Sequence, residues 1–114
     1  MQTLSKPSAT DLVAVARIAK AKDLDAVRAF DTREATCCTA AGLAQLEAAS
    51  VAAMEAAFAA EEAIVNLRSE SLGDVHTKVA YLNEYARGCA YDDYCERLVK
   101  SACADIRRLC GWPA

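Results

Sequence analysis

The chain has 114 residues, among them 26 alanines, 4 glycines and 2 prolines. This length is typical of one domain, so we predict a single helical-bundle domain over residues 1–114. The formal net charge is −3 and the pI is near 5.1. An acidic chain offers no basic face to a nucleic-acid backbone or to an anionic lipid surface. The sequence therefore predicts neither nucleic acid nor a membrane as a partner.

The first eight residues contain no apolar segment of the kind that a signal peptide needs. The longest uncharged apolar stretch is far shorter than the roughly 18 residues that a membrane-spanning helix requires. We therefore expect a cytoplasmic protein. In that compartment the six cysteines would be mostly thiols.

A first helix is expected from near Ser8, because Ser8 and Asp11 have the spacing of a capping box. Beyond this start, apolar residues recur with the helical period. They are Leu12, Val15, Ala16, Ala19, Ala26, Val27 and Phe30. Asp23 could cap a new helix, so the sequence leaves open whether residues 8–30 form one helix or two. Residues 31–39 are expected to form the first connection or a loose helical start.

The most helix-prone stretch is residues 39–66, which predict one long alanine-rich helix of about 40 Å. Its larger apolar side chains form a stripe padded by alanine. They are Leu43, Leu46, Val51, Met54, Phe58 and Val65. Shorter neighbouring helices would not cover a helix of this length unless it bends or pairs with a second copy.

A third helix is expected after the polar residues 68–71, where Ser71 and Asp74 form a second capping box. Gly88 is a natural residue to end this helix. The apolar stripe has the cleanest period in the chain. It consists of Leu72, Val75, Val79, Leu82, Ala86 and Cys89.

A fourth helix is expected to open at Asp92 or Asp93, with Glu96 completing a third capping box. Gly111 and Pro113 should stop it. The residues predicted to be buried are Cys95, Leu98, Val99, Ala102, Cys103, Ile106, Leu109 and Cys110. The pattern as a whole predicts an all-α fold, a small bundle of three or four helices with one long alanine-rich helix.

The cysteines do not have the spacing of a structural zinc site, which brings two thiolates together across a gap of two to four residues. Cys37 and Cys38 are adjacent, which makes a poor chelate, although near a helix start they are the cysteines best placed to be reactive or disulfide-forming thiols. We predict no metal site and interpret the other four cysteines as small core residues. The alternative is a thiol- or metal-handling bundle that uses these four, Cys89, Cys95, Cys103 and Cys110.

The only histidine, His76, does not match a phosphotransfer histidine, because Lys78 comes one residue early and no glycine follows it. A single histidine also excludes a diiron site built from two Glu-x-x-His motifs. We interpret the pair Glu61-Glu62 as a solvated face and Asp92-Asp93 as a helix cap. No nucleophile, base and orienting group can be named together, so the sequence predicts no enzyme and no cofactor.

Aromatic residues concentrate in the last third of the chain. Tyrosine and tryptophan on a surface can anchor a partner, or they can close the end of a bundle with their polar atoms in water. Tyr81 and Tyr85 are predicted to lie beside the core stripe. The candidate interaction residues are Tyr81, Tyr85, Tyr91 and Trp112.

Two segments of the chain, residues 71–86 (SLGDVHTKVAYLNEYA) and 98–112 (LVKSACADIRRLCGW), are similar to segments of other proteins. Residues 63–112 resemble a group of short, uncharacterised, alanine-rich helical proteins of alphaproteobacteria and their mobile elements. That group has a Ser/Thr-Leu helix start, an early lysine and an Ala-Asp-Ile/Leu-x-Arg-Leu ending. This chain departs from it in its cysteines and in lacking a proline before the start. The resemblance implies a bacterial, cytosolic origin and carries no activity.

The sequence favours a small regulatory or accessory module that works through protein–protein interaction. Alanine lets a second helix approach closely, and the long helix exceeds what its neighbours can cover. We therefore expect the partner to be another protein or a second copy of the chain, as a homodimer.

Overall fold

The structure, a computed structural model, describes residues 7–35, 39–88 and 91–112. Within these ranges the chain forms four α-helices and no strand. They are α1 (Ala9–Ala35), α2 (Ala40–Asn66), α3 (Leu72–Gly88) and α4 (Asp93–Cys110). This confirms the predicted all-α fold with a long alanine-rich helix.

Helix α1 begins with the predicted capping box. The backbone N–H of Ser8 donates to Asp11 Oδ2 at 3.1 Å, and the N–H of Asp11 donates to Ser8 Oγ at 3.2 Å. The helix continues through Asp23, so residues 9–30 lie in one helix, with Ser8 as its cap. It also includes residues 31–35, where a connection or loose start was expected, because that stretch contains no glycine or proline to stop it. Residues 36–38 lie outside the described residues.

Helix α2 starts as predicted, after Thr39, whose Oγ1 accepts from the N–H of Gly42 at 3.1 Å. It ends at Asn66, before the predicted polar break. Helix α3 is capped by Ser71, whose Oγ accepts from the N–H of Asp74 at 3.2 Å. Asp74 does not accept the second hydrogen bond of a capping box, which would come from the N–H of Ser71. Its carboxylate instead accepts from the backbone of Glu70 at 3.1 Å and of Ala9 at 3.4 Å.

Helix α4 is capped by Asp92, which accepts from the N–H of Cys95 at 3.1 Å. Glu96 is therefore one residue too far along to complete a capping box, and it pairs with Lys100 at 3.2 Å. The helix ends at Gly111, whose φ of 68° is left-handed. Helix α3 ends at Gly88, also as predicted.

The chain divides into two compact units. The terminal unit contains Met1–Val13 and Glu62–Ala114, and the two-helix unit is Ala14–Glu61. The prediction of one domain stays a prediction. No helix within the described residues is long and apolar enough to cross a membrane.

Helices α3 and α4 pack against each other in the terminal unit. The fully or nearly buried residues of α3 are Val75, Lys78 and Tyr81. The predicted α3 stripe is therefore partly wrong, since Leu72 and Val79 are exposed. The buried face of α3 is rotated by about one residue from the predicted stripe, because Lys78 and Tyr81 are buried in place of Val79 and Leu82. On α4 the buried residues are Cys95, Leu98, Ala102 and Asp105.

Candidate interaction surface

The two-helix unit buries very little of its apolar surface. Among its described residues only Ala16 and Ala57 are buried, at 0% and 5% exposure. Seven of its larger apolar side chains are exposed instead, by 41% to 63%. They are Val15, Ile18, Leu24, Val27, Val51, Met54 and Phe58. The predicted stripes of α1 and α2 thus contain residues that the chain leaves uncovered.

Helices α1 and α2 lie side by side in this unit. Val15, Ile18, Ala19 and Lys22 of α1 line one groove of about 310 Å³ together with Ala53 and Ala56 of α2. Lys20 and Glu61 also pair across the two helices, with 3.4 Å between Nζ and Oε2. Only four residues separate the end of α1 from the start of α2, so the two helices run antiparallel.

The exposed apolar residues of α2 form a ridge. Val51, Met54 and Phe58 follow the spacing of three and four residues that places side chains on one helical face. At about 100° per residue, they lie on the flank of α2 opposite to Ala53 and Ala56. By the same rotation, Leu24 and Val27 lie on the matching flank of α1. These five residues define the apolar ridge face of the two-helix unit.

The predicted aromatic interaction residues divide into buried and exposed ones. Tyr81 has 1% exposure, so its prediction as an interaction residue beside the core is wrong. Tyr85 donates from its hydroxyl to Asp92 Oδ2 at 2.8 Å, and its ring centroid lies 4.8 Å from that of Tyr94. Tyr91 and Trp112 are 64% and 62% exposed, as a contact residue requires.

The exposed Tyr91 belongs to a groove along α3. His76, Val79, Leu82 and Asn83 line it with Tyr91, and its volume is about 610 Å³. His76 is thus on the surface of α3 beside Val79, as the sequence indicated.

A buried cluster of charged residues, which was not predicted from the sequence, occupies the terminal unit. Lys78 has 0% exposure, and its ammonium donates to Asp105 Oδ2 at 2.6 Å, to Ser101 Oγ at 2.9 Å and to the carbonyl of Leu67. These three bonds use every N–H of the ammonium group. Lys78 therefore has no free donor, and its role here is structural.

The carboxylate of Asp105 is held from several sides. It accepts from the Ser69 hydroxyl at 2.6 Å and from Arg108 Nη1 at 3.0 Å, in addition to Lys78. Burial raises the pKa of Asp105, but the hydrogen bonds from Lys78, Ser69 and Arg108 outweigh it. The pKa of Asp105 therefore lies below its ordinary value. Among the described residues no buried side-chain nitrogen or oxygen lacks a hydrogen-bond partner.

This cluster completes the end of α2. The Ser101 hydroxyl donates to the carbonyl of Val65 at 2.6 Å, and Lys78 donates to that of Leu67. Arg108 also donates to the carbonyl of Ser69. The last carbonyls of a helix have no partner within it, and here Ser101 of α4 supplies a donor to that of Val65. Leu67 and Ser69 lie in the segment directly after α2, where Lys78 and Arg108 supply the donors. We name Lys78, Asp105, Ser69, Ser101 and Arg108 the polar clamp.

The acidic pair Glu61-Glu62 is not the solvated face that the sequence predicted. Glu61 pairs with Lys20. The carboxylate of Glu62 accepts hydrogen bonds from both terminal nitrogens of Arg97, with 2.6 Å between Nη2 and Oε2. The hydrogen bond from Arg97 lowers the pKa of Glu62. Asp92 is the helix cap that the sequence predicted, and the hydroxyl of Tyr85 and the N–H of Cys95 lower its pKa.

The cysteines are only partly the core residues that were predicted. Cys95 is buried at 0% exposure, whereas Cys103 and Cys110 are exposed, so the core prediction is wrong for those two. The face of α4 that is buried instead carries Leu98, Ala102 and Asp105. Cys37, Cys38 and Cys89 lie outside the described residues. In the part of the chain that the structure describes, no group of three or more His, Cys, Asp or Glu side chains could hold a metal ion.

Comparison of the chain with protein families, with curated proteins and with solved structures gives no match.

Proposed function

We propose that the chain is a protein–protein interaction module, regulatory or accessory to another process, and that it self-associates through its two-helix unit. The observation that supports this is the exposure of the apolar ridge face, Leu24, Val27, Val51, Met54 and Phe58, at 41% to 63%.

A pair of helices covers only one face of each helix, and stable domains usually bury the remaining apolar surface against a further layer. Within residues 40–60 the only charged side chains are Glu47 and Glu55. A helix that is apolar nearly all round is usually buried in a larger assembly. Contiguous apolar surface of this kind marks an interaction site.

The experiment is native mass spectrometry and sedimentation equilibrium on the wild-type chain and on Met54→Glu. We expect a wild-type dimer. A glutamate in the ridge would have to be desolvated at the interface in both copies, so the dissociation constant should rise by roughly a hundredfold or more.

Leu72→Glu is the matched control. Leu72 is 59% exposed and Met54 is 55% exposed, but Leu72 belongs to the terminal unit. The control should leave the dimer intact. A wild-type chain that stays monomeric at high concentration would contradict the proposal, and so would equal effects of the two substitutions.

A further inference from the structure

The two helices of the two-helix unit differ in charge. The part of α2 in this unit has three glutamates and no lysine, arginine or histidine. The part of α1 in this unit has five basic residues, Arg17, Lys20, Lys22, Arg28 and Arg33, against four acidic ones. A surface made only of α2 would repel a second copy of itself, whereas α1 and α2 of different copies would attract each other.

Two rows of residues make this complementarity specific. Lys20, Leu24 and Arg28 follow each other at intervals of four residues along α1 and share one side of the helix. Glu47, Val51 and Glu55 do the same along α2. Each row has an apolar centre with a charge on either side, and the charges have opposite sign.

The residues of the two rows lie at corresponding positions along the antiparallel helix pair. Ala35 ends α1 and Ala40 begins α2, so these two residues lie at the same end of the antiparallel pair. Leu24 and Val51 are each eleven residues from these ends, so they lie at about the same height. Arg28 and Glu47 are each seven residues from the ends, and Lys20 and Glu55 are each fifteen, so these pairs are also about level.

We propose that two copies pair with their apolar ridge faces together, so that α1 of each lies antiparallel against α2 of the other. A two-fold axis parallel to the helices produces this arrangement, and rotation about it does not shift any residue along the direction of the helices. Leu24 and Arg28 then meet the partner's Val51 and Glu47, and they do so twice. Lys20, which pairs with Glu61 of its own chain at 3.4 Å, then also lies beside the partner's Glu55. The result is an antiparallel four-helix bundle with the ridge residues in its core. This inference rests on the proposed self-association and specifies its geometry.

The face is large enough for a stable dimer. Each helix contributes about 22 residues to the unit and so runs about 33 Å at about 1.5 Å per residue. Two helices side by side are about 20 Å wide, which gives a face of roughly 650 Å². A standard protein interface buries about 800 Å² on each partner, which is close to this value once side chains interdigitate.

The test uses Arg28→Glu and Glu47→Arg, two substitutions of exposed residues. Each variant alone places like charges opposite each other twice in its homodimer, and its dissociation constant should rise by about tenfold at low salt. In a mixture, the heterodimer brings Arg28→Glu against the partner's Glu47→Arg and leaves the other pair native. Native mass spectrometry should therefore show mostly heterodimer, and the preference should weaken as salt is added.

The matched control is a mixture of Arg87→Glu and Glu70→Arg, two exposed residues of the terminal unit. It should give a statistical mixture in which half of the dimers are mixed. Formation of heterodimer in the first mixture also shows that both variants fold.

A second measurement needs no substitution. Carbodiimide joins lysine to glutamate without a spacer, and mixing ¹⁴N- and ¹⁵N-labelled chains identifies the links between copies. We expect such links between Lys20 of one copy and Glu55 of the other. A dimer without heterodimer preference and with links only between other surfaces would overturn this geometry while leaving self-association intact. Absence of any dimer would overturn both.

Discussion

Lys78 and Asp105 form an ion pair inside the terminal unit, with 2.6 Å between Nζ and Oδ2 and almost no exposure of either side chain. Taking two charges out of water is costly, and the attraction between them compensates only when all remaining donors and acceptors are also satisfied. The polar clamp meets that condition, because Ser69, Ser101, Arg108 and the carbonyl of Leu67 complete the bonding of the pair.

We expect Asp105→Ala to be among the most destabilising single substitutions in the chain. It leaves the Lys78 ammonium buried without its counter-charge, which typically costs about 3–5 kcal/mol in the free energy of unfolding. Lys78→Met should cost less, because Asp105 keeps its bonds to Ser69 and Arg108. Urea unfolding followed by circular dichroism measures both. Equal losses for the two variants would contradict this account of the clamp.

The clamp also predicts how stability depends on pH. The pKa of Asp105 is lower in the folded chain than its ordinary value of 3.8, so the unfolded chain takes up this proton at higher pH than the folded chain does. The stabilisation is complete well above pH 3.8 and is lost as the pH falls below that value. Urea unfolding between pH 7 and pH 3 should show this loss. In Asp105→Ala the fall should be shallower, and a slope as steep as that of the wild type would argue against the assignment.

Two helix-terminal glycines should respond oppositely to alanine. Gly111 has a φ of 68°, which a side chain strains, so Gly111→Ala should cost about 1 kcal/mol. Gly88 lies in α3, and a Cβ there would meet no atom within 4 Å. Gly88→Ala should therefore stabilise the chain by roughly 0.5 kcal/mol through the lower entropy of its unfolded state. Thermal unfolding measures whether Tm falls or rises for each variant. A fall in Tm for Gly88→Ala would contradict the predicted stabilisation.

The cysteines should differ in reactivity according to their exposure. Cys103 and Cys110 are exposed thiols and should be alkylated in the native chain within minutes. Cys95 is buried and should react only when the chain unfolds. Pulsed alkylation with peptide mass spectrometry reads each site separately. Modification of Cys95 at the rate of Cys103 would show that the α3–α4 core opens readily.

Features that depend on neighbouring residues could be predicted from the sequence. The caps at Ser8, Thr39, Ser71 and Asp92 are local, because a side chain bonds to the backbone three residues further on. The helices could be predicted from the alanine content and from the positions of glycine and proline. These signals also gave the helix starts to within about one residue.

Features that depend on distant residues could not be predicted in this way. An apolar stripe places lysine and aspartate outside the core, yet Lys78 and Asp105 lie inside it, because each supplies the counter-charge of the other 27 residues away. Val79 and Cys103, which the stripes placed in the core, are exposed. Nothing in the spacing of either segment signals the other, so only the tertiary structure reveals the pair.

The polar clamp also determines which parts of the terminal unit open together. Helix α4 supplies Ser101, Asp105 and Arg108, which bond to residues 27 to 39 positions earlier in the chain. If α4 detaches, the carbonyl of Val65 near the end of α2 loses its donor at the same moment that Lys78 loses its counter-charge. Backbone amides near the end of α2, in α3 and in α4 should therefore exchange with deuterium through one common opening free energy, as a single cooperative unit.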